Sequence, residues 1–125
     1  SYILPHLDHF TKLLSMMLYL PSEEQRGDDR LSTIFHQGNS STIESLEQTE
    51  TIKTRDWNDF RNSFEEIRPP FSENNLIVFT RTKTSWHSVD YPAQIKKGTR
   101  LSININLHIS VRDATKRALL WNKTE

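Results

Sequence analysis

Two side chains of the kind that bind metal ions lie two residues apart near the start of the sequence, His6 and Asp8. In an extended backbone, side chains at positions i and i+2 point to the same face. One imidazole and one carboxylate can therefore bind a single ion without a long loop to bring them together. Alone, this His-x-Asp spacing is a weak signal, because it occurs by chance in many chains. Its ordinary interpretation is a polar turn beside Pro5.

A third ligand must come from elsewhere in the chain, and the best candidate is His87. Two histidines and one carboxylate with open coordination positions suit a non-haem ferrous oxygenase. The alternative for His87 is an exposed histidine in a turn beside Trp86. The other histidines are not expected to be ligands: His9, His36 and His108.

Composition limits the kind of site and partner that the chain can have. The 125 residues contain sixteen Lys and Arg, sixteen Asp and Glu, and no cysteine. This length fits one domain, and the zero formal charge gives no sign of a nucleic-acid footprint. Without cysteine there is no thiolate metal site, so nitrogen and oxygen ligands remain. No apolar run approaches the roughly 20 residues that span a bilayer, and we expect a cytoplasmic protein without a membrane segment.

The elements that must position these groups are mostly short strands. Residues 12–20 form a nearly continuous apolar run that predicts a strand buried on both faces, although periodicity alone leaves a short helix open. Residues 31–36 predict a further strand, and residues 76–80 predict the clearest short buried strand. Residues 37–50 are polar and predict a mobile insertion. The sequence therefore predicts a mainly β domain.

Polar and apolar residues alternate most regularly from Arg100 to Ile109, which predicts a strand with two unlike faces. Residues 111–122 predict a terminal helix that covers part of its apolar face. Asp56 is the predicted N-cap of a short helix whose segment ends at Pro69-Pro70, and the last residues of that segment, 64–68, fit either helix or strand.

The order of these segments resembles that of the iron(II)- and 2-oxoglutarate-dependent oxygenases, specifically their prolyl-hydroxylase-like branch. The resemblance runs from about Tyr2 to Leu107 and is weaker between Gln37 and Arg68. It is carried by an HxD motif, an apolar run ending in Tyr-Leu, a strand, a Trp-His-Ser-Val segment and an RxS motif.

This resemblance implies a double-stranded β-helix, the jelly roll also found in cupins, with a short helix in the middle insertion and a C-terminal helix. It favours strand for residues 64–68. Because family members have strands and helices before the HxD motif, it implies that residues 1–125 are one domain that is either the C-terminal part of a longer catalytic domain or a reduced version of it.

The activity that the resemblance implies is hydroxylation of a small-molecule or side-chain substrate, with 2-oxoglutarate and O2 converted to succinate and CO2. His6, Asp8 and His87 are then the Fe(II) ligands, and no further catalytic residue is assigned. The alternative is a cupin-like binding module, or an inactive relative that keeps the barrel. The substrate is not specified by the sequence, and a homo-oligomer stays open.

Three more residues acquire roles from the resemblance, all in binding 2-oxoglutarate. Arg100 is expected to bind its distal carboxylate, since a planar guanidinium can donate two parallel hydrogen bonds to a carboxylate. Ser102 is expected to add a hydroxyl, and Tyr19 is a weaker candidate for the same site. The alternatives are a surface charge for Arg100 and a core tyrosine for Tyr19.

Overall fold

A computed structural model describes residues 2–38, 57–90 and 98–123. Within these ranges the protein is mainly β and consists of two antiparallel sheets and two α-helices. The four-stranded sheet has the order β1-β6-β3-β4, with β1 Tyr2–His6, β3 Thr33–Gly38, β4 Phe64–Ile67 and β6 His87–Asp90. The three-stranded sheet has the order β5-β2-β7, with β2 Lys12–Tyr19, β5 Leu76–Thr80 and β7 Ser102–His108. The helices are α1 Trp57–Ser63 and α2 Val111–Lys123, and a short 3-10 turn spans Asp29–Leu31.

The sequence predicted most of these elements. The strands β2, β5 and β7 and the helix α2 are confirmed to within two residues of the predicted bounds, and residues 64–67 form a strand. The mainly β class is confirmed, and the strands in the described part of the chain do not form a closed barrel. Asp56 and most of the insertion predicted at residues 37–50 lie outside the described residues.

The two sheets contact each other through their inward side chains. The rings of Phe35 on β3 and Phe79 on β5 meet edge to face, with centroids 5.0 Å apart. Two further apolar clusters are buried: Tyr19, Leu31 and Phe71 form one, and Phe60, Phe64 and Trp86 form the other. Burial of each such side chain contributes about 1.5–3 kcal/mol, so these clusters stabilise the strands to which their residues belong or are adjacent.

The outer face of the three-stranded sheet is exposed, which contradicts two predictions. Only alternate residues of β2 are buried, so it is not buried on both faces, and Leu76 of β5 is 55% exposed. The reason is the period of two in a strand, which turns one face inward and leaves the other dependent on a separate covering layer.

Helix α2 does not provide that layer, contrary to the prediction. Ile103 and Ile105 on β7 are each 48% exposed. The helix is instead held at the start of β2, where Arg117 donates from Nη2 to the carbonyls of Phe10 and Lys12 at 2.6 and 3.0 Å. Neither described helix is long and apolar enough to cross a membrane.

A hydrogen bond from β3 to β2 supplies a test of the contact between the sheets. The buried backbone N–H of Thr33 donates to the hydroxyl of Tyr19 at 2.8 Å. We expect Tyr19→Phe to lower the free energy of unfolding by about 1–3 kcal/mol, because the N–H is left buried without an acceptor. Urea unfolding measures the change. Thr80→Val removes an exposed hydroxyl and should change stability by less than about 0.5 kcal/mol; equal effects of the two variants would contradict the role of this bond.

Candidate metal centre

The pairing of β1 with β6 brings two histidines together. His6 ends β1, His87 begins β6, and the two residues are direct partners in the antiparallel ladder. Their ring centroids are 4.4 Å apart. Asp8 follows β1 by two residues, and its Oδ1 lies 3.7 Å from Nε2 of His6 and 3.5 Å from Nε2 of His87. One ligand atom from each residue lies within 4.8 Å of the other two, which is the geometry of a group that could hold a metal ion.

Backbone carbonyls set the orientation of both imidazoles. Nδ1 of His6 is 2.9 Å from the carbonyl of Leu4, and Nδ1 of His87 is 2.9 Å from the carbonyl of Ser85. A carbonyl can only accept, so each Nδ1 carries the proton and donates it. In the neutral form of each ring, Nε2 therefore has a lone pair, and this atom lies on the side of Asp8. This is the tautomer and the outer hydrogen bond that metal-binding histidines use.

The Asp8 carboxylate is held by neighbours on β2 and beyond. Its Oδ2 accepts a hydrogen bond from Ser15 at 3.1 Å, and its Oδ1 is 3.0 Å from Nζ of Lys12. Its backbone carbonyl accepts from Nε of the buried Arg81 at 2.7 Å. Both the backbone and the carboxylate of Asp8 are thus fixed before an ion binds, which lowers the conformational cost of binding.

Electrostatics at the site favour an ionised carboxylate. Burial acts to raise the pKa of the Asp8 carboxyl, but His6, His87 and Lys12 together hold that pKa well below its usual range. The pKa of His6 is raised from its ordinary 6.5, chiefly by its interaction with Asp8 and against the effect of burial. The site therefore attracts cations, and a proton on His6 competes with a metal ion for Nε2.

The donor set fits a divalent first-row transition metal. Two imidazole nitrogens and one carboxylate oxygen on one side of an ion, with other positions open, form the arrangement known in non-haem iron sites. Metal–ligand distances of about 2.0–2.2 Å would require Asp8 Oδ1 to lie closer to both Nε2 atoms than the present 3.7 and 3.5 Å. Fe(II), Mn(II) and Zn(II) all suit these ligands.

A cavity of about 190 Å³ adjoins the three ligands and extends between the sheets. The polar face of β7 forms one wall of the cavity with Ser102, Asn104 and Asn106. Arg100 also lines the cavity, two residues before Ser102, which pairs with Tyr19 at the far end of β2. The cavity therefore joins the metal ligands to the guanidinium that the sequence singled out.

Arg100 has no acidic partner among the described residues. Its Nε donates to the carbonyl of Leu31 at 2.6 Å and its Nη2 to the hydroxyl of Thr33 at 3.3 Å. The guanidinium lies over the rings of Tyr19 and Phe71, at 5.5 and 5.7 Å from their centroids. Burial lowers the pKa of Arg100. A partly buried cation without an acidic partner in the described ranges is suited to an anion supplied by a ligand.

The structure separates the predicted site residues into two groups. His6, Asp8, His87, Arg100 and Ser102 all line the cavity. The alternative of an exposed turn residue is wrong for His87, which is 7% exposed. Tyr19 lies behind Arg100, 1% exposed, and its contact with a cosubstrate stays a prediction. The histidines that were not expected to be ligands lie outside this group: His9 and His108 are exposed, and Nε2 of the buried His36 pairs with Ser88 Oγ at 2.7 Å.

Sequence reasoning missed three residues that hold Asp8. Ser15 is a short polar residue inside the apolar run at residues 13–20, and its side chain points inward to Asp8. Its polar character within an apolar run could have identified it. Lys12 is four residues from Asp8, a spacing that says little in an irregular segment. Arg81 follows β5, and nothing in the sequence connects it with Asp8.

Comparison with known proteins adds no assignment. No family model matches the sequence, and no match was found among curated proteins or solved structures. The geometry of the described residues is therefore the basis for the function.

The raised pKa of His6 predicts how metal binding depends on pH. His6 must lose its proton before Nε2 can coordinate, so affinity for Mn(II) should increase as pH rises above 6.5 and through neutrality. Electron paramagnetic resonance of free Mn(II) measures the affinity at each pH. Asp8→Asn should weaken binding at least about tenfold, because the carboxylate is lost.

His9→Gln is the matched control, since His9 is close in sequence but exposed. It should bind Mn(II) like the wild type. An affinity for Mn(II) that is constant or falls with rising pH would contradict the assignment of His6. So would a loss of Mn(II) affinity in His9→Gln as large as the loss in the variant His6→Gln.

Proposed function

We propose that the protein is an Fe(II)- and 2-oxoglutarate-dependent dioxygenase of the prolyl-hydroxylase-like type. The proposal rests on one cavity that is lined both by His6, Asp8 and His87 and by Arg100, whose guanidinium has no acidic partner among the described residues. The three ligands suit Fe(II), and the guanidinium suits the distal carboxylate of a dicarboxylic acid. The reaction converts substrate, 2-oxoglutarate and O2 into hydroxylated substrate, succinate and CO2.

The path of the chain supports the fold that belongs to this proposal. Strands β1, β2 and β3 fall alternately in the two sheets, and β5, β6 and β7 do the same. Such alternation is what a double-stranded β-helix requires, because its chain winds around two facing sheets. The double-stranded β-helix is therefore part of the proposal.

The metal ligands and the residues proposed to bind 2-oxoglutarate have separate tasks in the proposed reaction. His6, Asp8 and His87 hold Fe(II) on one side and leave its remaining positions to ligands in the cavity. Bound iron and 2-oxoglutarate supply the activation of dioxygen, and the protein orients both. Arg100 and Ser102, on the same face of the β7 segment, bind and orient the distal carboxylate of 2-oxoglutarate.

Aromatic rings behind Arg100 prepare it for this task. The rings of Tyr19 and Phe71 are tilted against each other with centroids 4.6 Å apart, and the guanidinium lies over both rings. Together with the bond from Arg100 to the Leu31 carbonyl, they fix the plane of the guanidinium and exclude water from one side. A preoriented fork loses less conformational freedom when it binds a carboxylate.

Anaerobic titration with Fe(II) and 2-oxoglutarate tests the proposal. A weak visible metal-to-ligand absorption band should appear, and admission of O2 should give succinate. Asp8→Ala and His87→Ala should abolish both signals, because each removes a ligand, whereas His108→Ala alters an exposed histidine and should keep both. A folded wild-type protein without the band contradicts the proposal, and a band without succinate indicates an inactive or binding-only relative.

Removal of the guanidinium should weaken binding of 2-oxoglutarate specifically. We expect Arg100→Gln to raise the KM for 2-oxoglutarate about tenfold to hundredfold, the size of one or two lost charge-assisted hydrogen bonds. Arg100→Lys keeps the charge without the planar fork, so its KM for 2-oxoglutarate should lie between the values of the wild type and Arg100→Gln. Succinate formation at varied 2-oxoglutarate gives the values.

Arg112→Gln, an exposed arginine on α2, is the control and should leave this KM unchanged. Mn(II) affinity should stay the same in every arginine variant. An unchanged KM in Arg100→Gln would mean that another group holds the cosubstrate.

A further inference from the structure

Lys12 is a second cation in the cavity, and the proposed reaction gives it no task. It is the first residue of β2, and it lines the cavity together with the metal ligands. Its Nζ lies 3.0 Å from Asp8 Oδ1, and its side chain is 17% exposed. That same oxygen lies closest to both histidine Nε2 atoms. The ammonium is therefore directly beside the position that a metal ion would take.

A metal ion at this position changes the electrostatic partner of Lys12. The ion would draw on the negative charge of Asp8 Oδ1, which now attracts the ammonium, and it would itself repel Lys12. No other acidic side chain among the described residues contacts Lys12. Loading of the site thus leaves an ammonium in the cavity, close to the metal and with no second acidic partner in residues 2–38, 57–90 and 98–123.

The charges on the cavity wall point to the same class of ligand. Among its lining residues, two are cationic, Lys12 and Arg100, and one is anionic, Asp8. A divalent metal raises the net charge from one positive to three positive. A dianion such as 2-oxoglutarate, with one carboxylate at Arg100, lowers it to one positive. The remaining positive charge is the one next to the metal, at Lys12, and a cavity with excess positive charge attracts anions.

We propose that Lys12 anchors an anionic group of the substrate, a carboxylate or a phosphate, beside the metal. This rests on the proposed function, because it assigns the substrate class of the same site. Lys12 lies at the start of β2, whereas Arg100 lies near its far end, so the substrate anion and the distal carboxylate of 2-oxoglutarate occupy separate places. The acid group holds the substrate close to the open metal positions.

Paramagnetic relaxation by Mn(II) tests this without knowledge of the substrate. Inorganic phosphate is the first probe, and its ³¹P relaxation is measured with Mn(II)-loaded protein, with and without 2-oxoglutarate. Phosphate held at Lys12 is close to Mn(II) and relaxes strongly. Lys12→Met should weaken this phosphate binding about tenfold, because a charge-assisted hydrogen bond is lost. Lys12→Arg should retain it.

Lys116→Met is the matched control, since this lysine is exposed on α2. It should relax phosphate like the wild type. Free Mn(II) is monitored in every sample, so that all relaxation comes from the bound ion. Relaxation that is unchanged in Lys12→Met comes from phosphate on the metal itself and overturns the proposal. Loss of Mn(II) from Lys12→Met also overturns it, because Lys12 would then belong to the metal site.

A second arm with ¹³C-labelled acetate distinguishes the two kinds of anion. Lys12-dependent relaxation of acetate alone indicates a carboxylate substrate, and that of phosphate alone indicates a phosphorylated one.

The test also separates this inference from the oxygenase proposal. Lys12-dependent relaxation without an Fe(II)–2-oxoglutarate band leaves an anion site but no oxygenase. A band together with Lys12-independent relaxation leaves an oxygenase whose substrate is not anchored here.

Discussion

The antiparallel pairing of β1 with β6 is the constraint on which the candidate site depends. It places His6 and His87, distant in sequence, directly opposite each other. Their Nδ1 atoms donate to carbonyls two residues earlier in the chain, so the backbone that forms the ladder also orients the rings. A one-residue slip in this register would turn every side chain of one strand to the other face. The metal-binding group would then be lost while the strands themselves remained paired.

Asp8 connects this pair to the rest of the molecule. Its carboxylate faces both histidines and Lys12, and Ser15 and Arg81 hold it from two different elements. A buried carboxylate is costly without such partners, which explains why so many donors surround one side chain. A metal ion, a proton on His6 and the ammonium of Lys12 all interact with one negative group.

Local sequence patterns predicted the secondary-structure elements better than they predicted the burial of those elements and the contacts between them. The period of two in residues 100–109 predicted β7 and its two unlike faces, because alternation is a property of the strand itself, but not that its polar face would line the cavity. The apolar run at residues 12–20 gave the strand β2 but not its exposure, since hydrophobicity does not reveal whether a second layer covers a face. Likewise His6, Asp8 and His87 could be selected by chemical type and spacing. The contributions of Lys12 and Arg81 could not, because they depend on which side chains the tertiary structure brings to Asp8.

The central claim is that three side chains bind one metal ion, and a crystal structure of Mn(II)-loaded protein with an anomalous difference map tests it most directly. The account predicts one strong peak at about 2.0–2.2 Å from Nε2 of His6, Nε2 of His87 and a carboxylate oxygen of Asp8. The Nζ of Lys12 should have moved away from that oxygen. A peak elsewhere on the protein, or no peak in crystals in which these three residues are ordered, would contradict the account.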